Sequence, residues 1–237
     1  MFVFILHNER FKKELTILDQ LKFRDRVDAG NALAERLTKS SLLDSRQRSK
    51  VIILGIPRGG IIIADILAKR LSADLDIVIG RKLRAPENPE LAIGAIMEDG
   101  TEFLNEYLIN ALKLSKDYLE HEKAVQIAEI VRRISLYRQK RDYQLRNRIV
   151  ILTDDGIATG ATVIAAARWI RKHSPAFLMI AVSVVPPQTL EILKQEADAV
   201  EVILSPENLN SVGQFYENFQ TVSDEKVRQI MMERNQL

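Results

Sequence analysis

Short apolar runs rich in β-branched residues recur along this chain, and segments with helical spacing lie between them. The clearest runs are Lys50–Gly55, Leu75–Gly80, Ile149–Thr153, Ala176–Val185 and Val200–Leu204. A short, continuous apolar run of this kind is typical of a strand buried on both faces. Because the strands alternate with helices, the pattern predicts an α/β fold: an open, mostly parallel sheet with helices on both faces.

The segments between these runs carry the remaining elements. Leu91–Met97 and Thr101–Leu104 flank Asp99-Gly100, a strong turn signal, which indicates a hairpin. Helices are predicted at Asp25–Lys39, Ile61–Leu71, 107–141 (mostly helical and heavily charged), Thr162–Lys172, Gln188–Ala197 and Asp224–Glu233.

The alternation of strands and helices stops at Ser205. We therefore predict an N-terminal arm at 1–22, an α/β core at 23–204, and a small hood with a closing helix at 205–237. The apolar start, Met1–Leu6, lacks a basic region and is too short for a signal peptide or a membrane span.

The balance of charge narrows the classes of partner. The 237 residues contain 34 lysines and arginines against 32 aspartates and glutamates, for a net charge of +2. This balance indicates neither a nucleic-acid nor a membrane partner. No cysteine is present, so disulfides and thiolate metal sites are excluded, and we expect a cytoplasmic protein.

The stretch RIVILTDDGIATGAT, Arg148–Thr162, carries the strongest chemical signal. Its strand ends in Asp154 and Asp155, and ligands of open parallel sheets bind beyond the carboxyl ends of strands. The small loop Gly156–Thr162 leads into a helix, so its backbone N–H groups and hydroxyls suit a phosphate. The two acids would repel that phosphate, but they can accept hydrogen bonds from a ribose diol or hold Mg²⁺.

These features together predict a ligand with a phosphate at one end and a diol beside it, as in a ribose 5-phosphate group. No G-x-x-x-x-G-K-[ST] motif is present, and no G-x-G-x-x-G follows a strand. An ordinary strand-end turn is the alternative interpretation of an isolated Asp-Asp-Gly.

The stretch VILTDDGIATGAT resembles the phosphoribosyl-diphosphate signature of the type I phosphoribosyltransferases. The resemblance implies that Asp154 and Asp155 are the catalytic acids, which bind the ribose hydroxyls with Mg²⁺ nearby. It implies that Gly156 opens the phosphate loop and that the 5-phosphate is wrapped by Ala158, Thr159, Gly160, Ala161 and Thr162.

Three further stretches resemble a less-characterised bacterial and archaeal subgroup of this family. They are Phe23–Leu37, Arg81–Ile96 and Ser211–Val227, so the resemblance covers nearly all of the chain from Phe23. In that subgroup an Arg-Lys pair is typical where Arg81 and Lys82 stand, and the resemblance implies contact with pyrophosphate. The subgroup usually has glycine where this chain has Arg84.

A second anion site is expected at GIPRGG, because a phosphoribosyl donor also carries pyrophosphate. Arg58 offers a fork of donors, and Gly59 and Gly60 offer exposed backbone amides. The resemblance implies a cis peptide bond at Pro57-Arg58 or Arg58-Gly59. The alternative interpretations are a Gly-Gly turn with a surface arginine, and two solvated cations at Arg81 and Lys82.

The acceptor is less well defined by the sequence. Phe215 and Tyr216 are candidates to stack a planar base, and a small aromatic core that ties down the hood is the alternative. Ala158 stands where family members that use 6-oxopurines have an acid, which argues against a guanine or hypoxanthine type of acceptor.

The remaining charged residues are expected to serve mainly as a solvated face, from which one or two cations reach the ligand if their segment is a lid. They are Arg132, Arg133, Arg138, Lys140 and Arg141. The three histidines lack metal-ligand spacing, and Trp169 is predicted to lie in the core.

The expected function is transfer of phosphoribosyl from 5-phosphoribosyl 1-diphosphate to a nitrogenous base, with Mg²⁺ as cofactor and pyrophosphate as product. The acceptor molecule is not identified, and a homodimer is left open. Two alternatives remain: a regulator that senses the same donor and binds nucleic acid, and a structural protein with a degenerate pocket.

Overall fold

The computed structural model describes residues 22–40, 50–138 and 142–235. The predicted arm up to residue 21 and the cations Lys140 and Arg141 lie outside this part of the chain.

The strands and helices follow the predicted order. The strands are β1 Val51–Gly55, β2 Asp74–Ile77, β3 Gly80–Arg84, β4 Ala92–Met97, β5 Glu102–Leu104, β6 Ile149–Asp154, β7 Phe177–Val184 and β8 Ala199–Leu204. The helices are α1 Arg26–Lys39, α2 Gly60–Leu71, α3 Glu106–Ala111, α4 Lys116–Tyr137, α5 Ala161–Lys172, α6 Pro187–Glu196 and α7 Asp224–Asn235.

Five strands form the main sheet in the order β2-β1-β6-β7-β8, and every neighbouring pair is parallel. The chain runs outward from β1 to β2 on one side and later returns to β6 on the other side. The carboxyl ends of β1 and β6 therefore border the crevice at which open α/β sheets bind ligands. Gly55 and Thr153 are cross-strand partners at this point, and the Ile56 N–H donates to the Thr153 carbonyl at 3.0 Å.

Both faces of the main sheet are covered by helices, as the sequence predicts. One face packs against the apolar sides of α1 and α2, which bury Leu33 and Leu67 completely. The other face packs against α5, where Trp169 is only 1% exposed. The prediction that Trp169 belongs to the core is confirmed.

A second, smaller sheet of order β3-β4-β5 packs on α5. The predicted hairpin is its antiparallel β4-β5 pair. The predicted strand Leu75–Gly80 was drawn too long, because β2 ends at Ile77 and Gly80 begins β3. Val78 and Ile79 are buried as the chain crosses between the sheets, so the apolar run shows no break. Arg81 and Lys82 consequently lie within a strand rather than in a loop after one.

The segment after β8 folds back over the carboxyl end of the sheet. A 3-10 turn at Val212–Phe215 leads to Tyr216, which forms an isolated parallel bridge with Phe23. The Glu217 N–H donates to the Phe23 carbonyl at 2.8 Å. Helix α7 then packs against α4, α2 and β2. None of the described helices is long and apolar enough to cross a membrane.

Candidate functional site

A first cavity of about 370 Å³ opens at the carboxyl end of β6. Asp154 is the last residue of that strand, and Asp155 follows it into the loop. The cavity is lined by the two aspartates, by every residue of the predicted loop 156–162, and by Arg26, Lys82, Val163, Val212 and Phe219.

The loop forms a cradle of backbone amides. Gly160 has φ +78°, a left-handed conformation that favours glycine, and it precedes the first turn of α5 without any side-chain cap. The Thr189 hydroxyl donates to the Ala158 carbonyl at 2.7 Å and holds the loop from the side. Within the described residues, the N–H groups of Ala158, Thr159 and Gly160 have no hydrogen-bond partner. An uncapped helix start beside free amides is suited to a phosphate.

The two acids lie against each other at the edge of the cradle. The Asp155 N–H donates to Asp154 Oδ1 at 2.8 Å. Burial, and then the charge of Asp155, raises the pKa of Asp154 well above its usual range. Burial also raises the pKa of Asp155, although the charge and hydrogen bond of Arg26 oppose that rise. The pair therefore holds negative charge that a cation or a set of hydroxyl donors would stabilise.

Arg26 is a site residue that the sequence interpretation missed. Its Nε donates to Asp155 Oδ2 at 2.7 Å, its Nη1 donates to the Gln220 carbonyl at 2.8 Å, and its guanidinium lies 3.9 Å from the centre of the Phe219 ring. Arg26 begins α1, and 129 positions separate it from Asp155. The local pattern therefore indicated only a helix start.

The hydroxyls of Ser183 and Tyr216 hold the backbone of Asp155 in place. Both donate to the Asp155 carbonyl, the serine at 2.6 Å. Tyr216 is 4% exposed, and Phe215 is 3% exposed. The structure therefore does not bring these two predicted acceptor contacts to the cavity wall, because the Tyr216 hydroxyl finds its partners in the interior. The ring that lines the cavity is Phe219.

The loop after β1 comes very close to the acids. A Cβ atom on Gly59 would lie 1.7 Å from Asp155 Oδ2, so only glycine fits there. Gly60 begins α2, and its Cβ would lie 2.9 Å from the Asp154 Cα. The Pro57-Arg58 peptide bond is cis, at one of the two positions that the resemblance implied. The Arg58 guanidinium lies 3.5 Å from the Asp224 carboxylate, and Arg58 is not among the residues that line either cavity.

A second cavity, of about 320 Å³, joins the first at Lys82, Asp154 and Thr162. Four cations line its wall, which brings the predicted pair Arg81 and Lys82 together with Arg84 and Arg133. The other lining residues are Ile56, Pro57, Gly80, Pro89 and Glu90. This arrangement can bind a polyvalent anion next to the acids.

The charged face predicted for the long helix region is only partly solvated. Arg133 reaches the second cavity, as the sequence interpretation allowed for one or two of these cations. The Arg138 side chain is only 2% exposed and lies 2.7 Å from Asp76, so its assignment to a solvated face was wrong. Its guanidinium also lies 3.5 Å from the centre of the Tyr143 ring, and this packing explains the burial.

The side-chain atoms at this edge of the cavity that could contact Mg²⁺ are the carboxylate oxygens of Asp154 and Asp155. In the described ranges, no group of three or more histidine, cysteine, aspartate or glutamate side chains is placed to enclose a metal ion. One or two carboxylates with ligand oxygens and water is the usual environment of protein-bound Mg²⁺. Asp154 and Asp155 therefore fit an ion that arrives with its ligand.

Comparison with known proteins identifies relatives of this chain. Proteins from two Mycobacterium tuberculosis strains, whose names assign them provisionally to the phosphoribosyl transferases, are 39% identical over 206 residues. The alignment covers 86% of this chain, and the chain spans 45% of the length of those relatives.

A solved structure of TT1426 from Thermus thermophilus is 38% identical, with a TM-score of 0.73. That comparison covers 90% of this chain and 98% of the other. The family description "Phosphoribosyl transferase domain" matches residues 24–217, which is most of the chain. The chain therefore belongs to the phosphoribosyl transferase domain family.

Proposed function

We propose that this protein is a phosphoribosyltransferase that takes 5-phosphoribosyl 1-diphosphate with Mg²⁺ and transfers its phosphoribosyl group to a nitrogenous base, releasing pyrophosphate. One observation carries the proposal: the two cavities meet at Asp154, with an amide cradle on one side and four cations on the other. The order of cradle, acids and cations matches the order of phosphate, diol and diphosphate in that donor.

The residues of the site would act mainly by holding the donor in place. The loop 156–162 binds the 5-phosphate, and the two carboxylates accept hydrogen bonds from the ribose hydroxyls. When the bond from the anomeric carbon to the diphosphate oxygen breaks, its electron pair leaves with the pyrophosphate. Arg81 and Lys82 then stabilise the charge that grows on the leaving group.

Bound Mg²⁺ would supply additional neutralisation of the diphosphate charge. Asp154 and Asp155 would hold it together with oxygens of the ligand. The anomeric carbon, left electron-deficient, takes the lone pair of an acceptor nitrogen, and the proton that this nitrogen carried is released to the departing pyrophosphate or to water. Fixing both reactants in one cavity contributes to the rate by removing the need for a second encounter.

The acceptor would occupy the hood side of the first cavity. Phe219 and Val212 line it there, with the Arg26 guanidinium over the Phe219 ring, and these groups together form the surface that a planar base would contact. Phe219 thus takes the stacking role for which the sequence offered Phe215 and Tyr216.

Calorimetric titration of 5-phosphoribosyl 1-diphosphate, with and without Mg²⁺, tests the proposal. We expect micromolar binding that requires Mg²⁺ and that the variant Asp154→Asn/Asp155→Asn loses. Asp74→Asn is the matched control, because it removes an aspartate paired with an arginine at a position 68% exposed. Absence of binding to the folded wild-type protein would contradict the proposal. A positive result justifies a screen of nitrogenous bases for pyrophosphate release.

A further inference from the structure

Gln126 is a buried amide in the middle of the charged helix α4. It is 4% exposed, and both the oxygen and the nitrogen of its side-chain amide form hydrogen bonds. Its Oε1 accepts from Arg81 Nε at 2.9 Å, and its Nε2 donates to Glu122 Oε1 at 3.0 Å. Because one neighbour can only donate and the other can only accept, the orientation of the amide is fixed. The same Glu122 oxygen accepts the backbone N–H of Arg84 at 3.1 Å, which ties α4 to β3.

This arrangement gives the Arg81 side chain no carboxylate among the described residues as hydrogen-bond partner, and Glu129 and Glu122 act on it only through their charges. Its hydrogen-bond partner is a neutral amide, and the guanidinium groups of Arg133 and Arg84 lie nearby. Burial, followed by the charges of Arg133 and Arg84, lowers the pKa of Arg81. In the described part of the chain, Arg81, Lys82 and Arg84 form no ion pair with a carboxylate, whereas Arg133 lies 2.7 Å from Glu129. This local excess of positive charge is one that a bound anion would relieve.

We propose that Gln126 is a positioning residue that holds Arg81 against the second cavity while leaving its charge free for the diphosphate end of the donor, and that Arg133 of the same helix completes that site. The inference rests on the proposed function and assigns part of its leaving-group site to α4.

The proposed role explains why position 126 carries a glutamine and not a glutamate. A glutamate at position 126 would accept the same hydrogen bond from Arg81, but it would also neutralise the cation. It would in addition place a carboxylate against Glu122, where the amide now donates. Glutamine fixes the geometry of Arg81 without reducing the positive charge of the cavity wall.

The experiment compares two probes, inorganic pyrophosphate and ribose 5-phosphate, each titrated by calorimetry in the presence of Mg²⁺. The variants are Gln126→Glu and the swap Gln126→Glu/Glu122→Gln, which keeps the net charge and moves the carboxylate next to Arg81. Gln229→Glu on the exposed part of α7 is the matched control for adding a negative charge. Thermal unfolding of the free proteins reports on the fold.

We expect both 126 variants to bind pyrophosphate at least about tenfold more weakly, because a carboxylate directly beside Arg81 competes with the ligand for its charge. Ribose 5-phosphate affinity should stay within about twofold of wild type, since that ligand uses the cradle side of the site. The midpoint of the swap variant should not fall, because Arg81 gains an ionic partner. A purely structural role for Gln126 would instead weaken both probes together and lower the midpoint.

Two results would overturn this inference: both variants bind pyrophosphate with wild-type affinity, or they lose affinity for pyrophosphate and ribose 5-phosphate equally. If the wild-type protein still binds 5-phosphoribosyl 1-diphosphate, the proposed function is unaffected by either result. If the wild-type protein binds none of the three ligands, the proposed function fails and this inference fails with it.

Discussion

The two cavities of the site hold their charges differently. In the first cavity the acid pair already has partners: Arg26 contacts the Asp155 carboxylate, and the Ser183 and Tyr216 hydroxyls hold the Asp155 carbonyl. In the second cavity, Arg81 rests on a neutral glutamine, and Lys82 lies between the two cavities. The first cavity is thus organised by the protein itself, whereas the second concentrates positive charge that an anion would satisfy. This contrast gives each cavity its own expected response to mutation.

Gly59→Ala should have the largest effect. A Cβ atom cannot occupy a point 1.7 Å from Asp155 Oδ2, so the loop or the acid must move. We expect affinity for both ribose 5-phosphate and 5-phosphoribosyl 1-diphosphate to fall by about a hundredfold or more, since a displaced acid loses its ligand contacts. Calorimetry with both ligands measures this. Unchanged affinities would mean that the acid pair does not contact the sugar.

Arg81→Gln should weaken ligand binding in the second cavity and leave the first cavity unchanged. Loss of a hydrogen bond to a charged group is worth roughly 1.5–3 kcal/mol, so pyrophosphate affinity should fall by about ten- to a hundredfold. Binding of ribose 5-phosphate should change little. Arg36→Gln is the matched control, because Arg36 forms an exposed ion pair with Glu201 away from the site. If Arg81→Gln weakens the two ligands equally, the division into two subsites is wrong.

Arg26→Gln should act on the first cavity only. It removes the contact with Asp155 and the cation that stacks on Phe219. We expect affinity for 5-phosphoribosyl 1-diphosphate to fall by roughly tenfold, and the free protein to lose roughly 1–3 kcal/mol of stability, because the carboxylate is left partly buried without its partner. Arg26→Lys should restore part of both. The readouts are calorimetry and denaturant unfolding, and pyrophosphate affinity should not respond.

Asp154→Asn should give the smallest change in the stability of the free protein, and that change should have the opposite sign. The raised pKa of Asp154 means that the folded state holds this proton more tightly than the unfolded state, so the ionised group opposes folding above its folded pKa. The variant should therefore be more stable than the wild-type protein at pH 8, with a higher thermal midpoint.

That advantage should shrink as the pH falls toward the ordinary pKa of 3.8, since the wild-type group becomes protonated in both states. Thermal scans across this pH range check the sign. A variant that is less stable than wild type at pH 8 would show that the ionised Asp154 carboxylate does not destabilise the folded protein.

The first cavity was predictable because one contiguous stretch builds most of it. The strand, the two acids and the loop of RIVILTDDGIATGAT fold locally, and β6, the loop and α5 appear where the pattern indicated. Four strands of the parallel sheet were predictable because each is a short apolar run, whereas β2 takes only part of its run and begins at Asp74. The family resemblance added two candidate positions for a cis peptide bond in the loop after β1, and the structure has it at the first, Pro57-Arg58.

The second cavity was less predictable because its parts come from separate elements. The crossing through Val78 and Ile79 hid the start of β3, so Arg81 and Lys82 were placed past a strand rather than in one. Gln126 lies in a helix whose surrounding residues are charged, and no spacing rule marks a single buried amide.

The aromatic contacts of the hood were also not predictable from the local sequence. Tyr216 turns inward because its hydroxyl bonds to the Asp155 carbonyl, 61 positions away, so Phe219 takes the place at the cavity. A pattern of aromatic residues indicates an apolar surface, but it does not determine which ring faces the ligand.

A crystal structure of the protein with 5-phosphoribosyl 1-diphosphate and Mg²⁺ would test the central claim most directly. We expect the 5-phosphate on the amides of the loop 156–162, the ribose hydroxyls on Asp154 and Asp155, and the diphosphate beside Arg81 and Lys82. A ligand bound the other way round, with its diphosphate in the loop and its 5-phosphate among the cations, would contradict it.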